Sequence, residues 1–147
     1  MMRRKASGRK KYVPALGYHW LTPFYDWLIG ITGHGDRLMY AFMQQSQLDH
    51  AQQILDLGCG TGSLAILTKR NFQASGITAL DCDPKILSIA ARKAVHYQVD
   101  IQYIQAFAEN LPCPDNSFDR VLSSLLFHHL PWDRKQQVAN EVFRVCK

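Results

Sequence analysis

The sequence predicts an α/β fold: a parallel sheet of about four strands with helices on both faces, preceded by an N-terminal helical cap. Three observations predict it. Short apolar runs at 54–57, 75–80, 101–105 and 121–126 alternate with longer segments whose apolar residues recur at helical spacing. The first run ends in a turn with glycine at alternate positions, Gly58, Gly60 and Gly62. The second run ends at Asp81, twenty-one residues beyond Gly60. Strand, glycine turn, helix, strand and acid follow one another as in a Rossmann-like nucleotide-binding unit, where such an acid accepts hydrogen bonds from ribose hydroxyls.

The chain opens with a basic arm at 1–11. Arg3, Arg4, Lys5, Arg9, Lys10 and Lys11 more than account for the formal charge of +5, because the remaining eleven basic side chains meet twelve acidic ones. The folded part is therefore not a basic nucleic-acid binder, and no specific nucleic-acid partner is expected. A solvated arm is the simplest reading. A weak peripheral anchor to anionic lipid or RNA is the other.

Residues 12–49 are expected to form the helical cap. The segment is rich in aromatics, with Tyr12, Tyr18, Trp20, Phe24, Tyr25 and Trp27. Thr22 and Pro23 suit the N-cap and first position of a short helix through about Ile29. Asp36 can cap a second helix from Arg37 to about Ser46, with Leu38, Tyr40, Ala41 and Phe42 available for burial. An aromatic block of this kind packs on a core, covers a small-molecule pocket as a lid, or meets a lipid-like substrate.

Residues 50–147 carry the sheet. Ile54–Leu57 reads as the first strand, and Ser63 can cap a helix through Leu64, Ala65, Ile66 and Leu67. Ser75–Leu80 reads as the second strand. Asp83 caps the next helix, with Pro84 in its first turn and Ile86, Leu87, Ala90, Ala91 and Ala94 on one face. That leaves Asp81 as the ligand, although the two acids could exchange roles. Its carboxylate suits a diol, since it can accept from two donors at once. Ile101–Gln105 is the third strand, 106–117 a loop, and Phe118-Asp119 opens a fourth strand at Val121–Leu126. Phe127-His128-His129-Leu130-Pro131 turns into a last helix with Val138, Ala139, Val142, Phe143 and Cys146 on one face.

At 147 residues and 47% hydrophobic, the chain is about one domain long and can bury a core. No apolar run approaches the ~18 residues of a membrane span, and no secretory signal follows the basic arm. The cysteines Cys59, Cys82, Cys113 and Cys146 form no Cys-x-x-Cys pair, so neither a metal site nor a disulfide framework is expected. Reduced thiols in the cytoplasm are the simplest account. The turn is no P-loop, because no Lys-Ser or Lys-Thr pair follows it. Ser63 stands where a dinucleotide fingerprint needs its third glycine, which disfavours a nicotinamide-dependent dehydrogenase.

I-L-D-L-G-C-G-T-G, A-L-D-C-D-P, A-E-N-L-P-C-P-D-N-S-F-D and L-L-F-H-H-L occur in the order and spacing of the class I S-adenosylmethionine (SAM) dependent methyltransferases. Over about 50–147 the chain resembles their small-molecule branch, which includes the ubiquinone and menaquinone biosynthesis methyltransferases. The resemblance implies SAM as cofactor and a small, apolar or aromatic methyl acceptor as partner. It implies that Asp56, Gly58, Cys59, Gly60 and Gly62 line the methionine end, Cys59 being a small residue tolerated in the turn rather than a nucleophile. Asp81 would bind the ribose, Cys82 the adenine face, Ala108 and Glu109 the adenine edge, and Ser124 the sulfonium end. Phe107 stands where many relatives carry an acid for the adenine amino group. His128 and His129 follow the fourth strand; one could serve as general base, but packing as turn residues against the last helix is the preferred reading. Relatives continue past the position of Lys147 with Pro-Gly-Gly and three more strands. A C-terminally truncated sheet is therefore expected, with 121–126 as a long apolar edge. A SAM-binding domain without turnover is the alternative to an active enzyme.

Overall fold

The computed structural model describes residues 34–147. The basic arm, the aromatic block before residue 34 and the helix expected at Thr22-Pro23 lie outside the described residues. The elements are α1 (His34–Gln45), β1 (Gln53–Leu57), α2 (Ser63–Asn71), β2 (Gly76–Asp81), α3 (Pro84–His96), β3 (Gln102–Gln105), β4 (Arg120–Leu122), a 3-10 turn (Phe127–His129) and α4 (Trp132–Val145). All neighbouring strands pair in parallel, in the order β3-β2-β1-β4. The chain steps outward from β1 to β3 and then crosses to the far side of β1. The loops leaving β1 and β4 thus diverge, which is where open α/β sheets hold their ligands.

Side-chain alternation along the strands sorts the core onto two faces. Ile54, Ile77 and Ala79 pack with Met43 of α1, Leu64 and Ala65 of α2, and Leu87 and Ala94 of α3. Leu55, Leu57 and Leu80 face the other way, onto Val138 and Val145 of α4 and onto Ala108, Leu111 and Phe118. Such β-branched and leucine runs, buried on both faces, are what a parallel sheet requires. Asp119 fixes the register of β4: its Oδ2 accepts the amides of Gln52 and Gln53 at 2.9 and 2.7 Å, and its Oδ1 accepts from Lys147 Nζ at 2.8 Å. Arg144 ties the 106–117 loop to α4. It donates to both oxygens of Glu141, to Asp115 Oδ1, and to the carbonyls of Leu111 and Cys113.

Four expectations are corrected. The fourth strand is Arg120–Leu122, not Val121–Leu126. Its pairing with β1 ends at Leu122, opposite Asp56, and Leu125 takes a left-handed φ of 61°. No long apolar strand edge forms there. Ser63 is not a cap: Gly62 holds the N-cap position without a side-chain bond, and Ser63 Oγ instead accepts from Lys93 Nζ at 2.8 Å. Asp36 lies inside α1, which begins at His34, while Tyr40 and Ala41 are exposed. On α4, Val138, Val142 and Val145 face the sheet. Ala139 and Phe143, about 100° further round the helix, are exposed, with Phe143 86% accessible. With Cys146 they line an open groove beside β4, together with Phe42, Val121 and Phe127. Asp83 does cap α3, its Oδ1 accepting the Lys85 amide at 2.9 Å with Pro84 following.

Candidate functional site

The glycine turn and the tip of β2 are joined by backbone bonds. The amides of Gly58 and Cys59 donate to the Leu80 carbonyl at 2.8 and 3.0 Å, and that of Gly60 donates to Asp81 Oδ2 at 3.0 Å. Asp81 Oδ1 accepts the Asp83 amide at 3.0 Å. Each oxygen takes one backbone donor and keeps a lone pair, so the carboxylate can still accept from two further donors. Asp81 is only half-buried.

All three glycines have positive φ, but they serve different ends. A Cβ on Gly62 (φ 77°) would sit 2.9 Å from Ala90 Cβ, so the missing side chain lets α2 and α3 approach. The space beside Gly58 is filled by Leu126, at 3.0 Å from where a Cβ would lie. A Cβ on Gly60 (φ 54°) would meet nothing within 4 Å among the described residues. Only Gly60 presents bare backbone to open space, the condition for a ligand to lie against it.

Asp56, in the middle of β1's buried end, is 1% exposed, and neither carboxylate oxygen has a hydrogen-bond partner. Burial pushes its pKa up to about 7; the Ala65 amide in the first turn of α2 offsets part of this without reaching hydrogen-bond geometry, and the Asp81 charge adds to it. An orphaned buried acid beside an open glycine is a place for a donor or cation from a ligand.

The other expected site residues are distributed as follows. Cys59 is buried, its Sγ 3.6 Å from the Gly60 carbonyl. Burial and the charges of Asp56 and Asp81 hold it as a thiol, which agrees with its reading as a turn residue rather than a nucleophile. Cys82 follows Asp81, half-buried, its thiol pushed up to about 12 by burial and then by Asp81. Ala108 is a core residue under the loop. Glu109 is ion-paired with Arg134 at 2.9 Å, its side chain 4% exposed, so its carboxylate latches the loop to α4. Phe107 beside it is exposed. Ser124 is half-buried in the loop after β4; the residue of that loop that meets the turn is Leu126. His128 and His129 lie in the 3-10 turn before α4, both exposed, their rings 3.9 Å apart. Partial burial and the His128 charge lower the pKa of His129.

Three residues of this neighbourhood escaped the sequence reading. Leu126 reaches Gly58 only because the chain turns at Leu125. Tyr103 crosses from β3 to donate to the Ala90 carbonyl at 3.1 Å, and Lys93 of α3 donates to the hydroxyls of Thr61 and Ser63. Their contacts follow from no local pattern, since each acts across the fold.

A parallel sheet that changes direction at β1, with an open glycine turn bonded to an acid on the next strand, defines a nucleotide-binding α/β domain. A methyltransferase-domain family model matches residues 54–147, and the chain belongs to that family. This is the class that takes SAM as cofactor. Among similar proteins, a demethylmenaquinone methyltransferase of Thermus thermophilus is 33% identical over 94 residues, covering 64% of this chain and 42% of the relative. A ribosomal protein L11 methyltransferase of Burkholderia mallei is 34% identical over 96 residues, covering 64% of this chain and 29% of the relative. The solved structure of the [4+2]-cyclase SpnF superposes with a TM-score of 0.71 at 29% identity, covering 77% of this chain and 41% of that one. The chain thus spans less than half the length of these relatives.

Proposed function

We propose that this chain binds SAM and serves the transfer of its methyl group to a small, apolar or aromatic acceptor. The observation that carries the reading is the Gly60–Asp81 bond, which sets an acid with spare acceptor capacity beside bare backbone facing open space. SAM, when bound, supplies a methyl group already activated on a sulfonium. Asp81 would accept from its ribose hydroxyls, Gly60 would lie under its methionine end, and Asp56 would face a cation there. Cys82 and Phe107 would border the adenine. Gly58 and Gly62 would shape the turn rather than touch the ligand.

Displacement at an activated methyl is aided chiefly by positioning and by exclusion of water. A base is needed only when the acceptor must lose a proton. Partial burial and the His128 charge lower the pKa of His129, which favours the neutral imidazole that can take a proton. The apolar character of the acceptor rests on the demethylmenaquinone methyltransferase likeness and on the aromatic block at 12–27.

Calorimetry with S-adenosylhomocysteine, the demethylated product, tests the cofactor site: micromolar binding is expected, and no binding by folded protein would overturn the reading. Labelled SAM added with quinol or phenol acceptors then tests transfer. Binding without transfer to any acceptor would leave a SAM-binding domain that does not turn over.

A further inference from the structure

Among the described residues, Asp56 is the buried acid of this neighbourhood whose carboxylate is left without a partner. Asp81 holds two amides, Asp83 caps α3, and Glu109 is paired with Arg134. Both Asp56 oxygens are sealed from water and unpaired. Among the described residues, the charge that acts on it is Asp81 of β2, while Cys59 of the glycine turn and Tyr103 of β3 face it as a neutral thiol and phenol whose ionisation it opposes. From α2 it meets the Ala65 amide, which falls short of a bond. Lys93 of α3 reaches the same turn at the hydroxyls of Thr61 and Ser63.

We infer that Asp56 couples ligand binding to proton release: its carboxyl gives up a proton to solvent as a cationic group of the ligand's methionine end enters the turn. The inference rests on the reading of the site as one for SAM. A sealed carboxyl near the charge of Asp81 holds its proton, because ionisation there would add an uncompensated charge. Its raised pKa, near neutrality, agrees. An entering ammonium or sulfonium supplies the missing counter-charge. The O–H bond breaks, the proton passes to water or buffer, the carboxylate pairs with the cation, and nothing is oxidised or reduced.

The test is titration of the full chain with S-adenosylhomocysteine and with SAM, in phosphate and in Tris, between about pH 5.5 and 7.5. The buffers differ in ionisation heat, so the difference counts protons. About one proton should be released per ligand near pH 6 and about half near pH 7, with affinity falling close to tenfold per pH unit below neutrality. Release with both ligands assigns the ammonium, which both carry; release with SAM alone assigns the sulfonium. In Asp56→Asn the exchange should vanish. Should that variant fail to fold, infrared difference spectra of the unaltered protein near pH 6 should show a protonated-carboxyl band lost on ligand addition. Binding with no buffer-dependent heat and no pH dependence overturns the inference and leaves the SAM reading intact. No binding of either ligand at any pH overturns both.

Discussion

The amide of Gly60 donates to Oδ2 of Asp81 at 3.0 Å, across twenty-one residues of chain. This bond makes the turn after β1 and the tip of β2 one rigid unit before any ligand arrives. Asp81 therefore holds the turn, and in the proposed function it would also receive the ligand's hydroxyls.

Substituting Asp81 should expose both duties. Asp81→Ala leaves the Gly60 and Asp83 amides without acceptors and removes the charged acceptor, an interaction worth about 1.5–3 kcal/mol. The dissociation constant for S-adenosylhomocysteine should rise by roughly 10- to 100-fold, with a smaller loss of stability. Asp81→Asn keeps one carbonyl oxygen and should lose less of each. Calorimetry and urea titration on both variants measure the two effects separately. Unchanged affinity in Asp81→Ala would remove Asp81 from the site.

Glycine substitutions should separate packing from ligand approach. Gly62→Ala meets Ala90 Cβ at 2.9 Å and must hold φ 77°. Overpacking at about 1–3 kcal/mol and left-handed strain at about 1–2 kcal/mol should lower stability by several kcal/mol. Gly60→Ala has only the backbone strain, because its surroundings are open. It should stay within about 2 kcal/mol of the parent while losing affinity for S-adenosylhomocysteine. In a double-mutant cycle, Ala90→Gly should recover the packing part of the Gly62→Ala loss but not the strain. Equal losses of stability at Gly60 and Gly62 would refute the division of labour.

These contrasts mark how far the sequence could be read. The glycine turn and the acid at the tip of β2 were legible because they are local consequences of a strand–turn–helix geometry. The four strands were legible from their apolar runs, and Asp83-Pro84 announced the start of α3. The length of β4 was not legible: V-L-S-S-L-L reads as strand, yet its pairing with β1 stops at Leu122 and the chain turns left-handed at Leu125. The face of α4 was misread because Phe143 is apolar yet exposed, and composition alone does not tell a core face from a groove-lining one. The burial of Glu109 against Arg134 joins residues twenty-five apart, beyond any local pattern.

Leu125 offers a test of the turn that carries Leu126 to Gly58. It sits at φ 61° with 54% of its surface exposed, so it bears left-handed strain while burying little. Leu125→Gly should remove about 1–2 kcal/mol of strain, partly offset by the greater freedom of glycine in the unfolded chain, about 0.4–1 kcal/mol. A net gain or near-neutrality in urea unfolding is expected, against a clear loss for Leu125→Val, which is branched at Cβ. A loss of more than about 1 kcal/mol in Leu125→Gly would mean that the Leu125 side chain, not its backbone, is what the fold uses.

Asp56 should leave its mark on stability as well as on binding. Its folded pKa, about 7, lies above the 3.8 of a free carboxyl. Below about pH 4 the folded and unfolded chains both carry the proton, and the group favours neither. Between about 4 and 7 only the folded chain keeps it, so unfolding releases a proton and stability falls as pH rises. Above about 7 the loss is complete, at about 4 kcal/mol for a shift of about three pH units. Asp56→Asn cannot ionise and is free of this slope. Urea unfolding at about pH 5 and about pH 7.5 should show the parent chain losing some 2–3 kcal/mol more than the variant over that interval. The comparison cancels the histidines common to both proteins. Parallel pH profiles in the two would mean that Asp56 ionises as easily inside the fold as outside it, and that some group supplies the partner its carboxylate lacks.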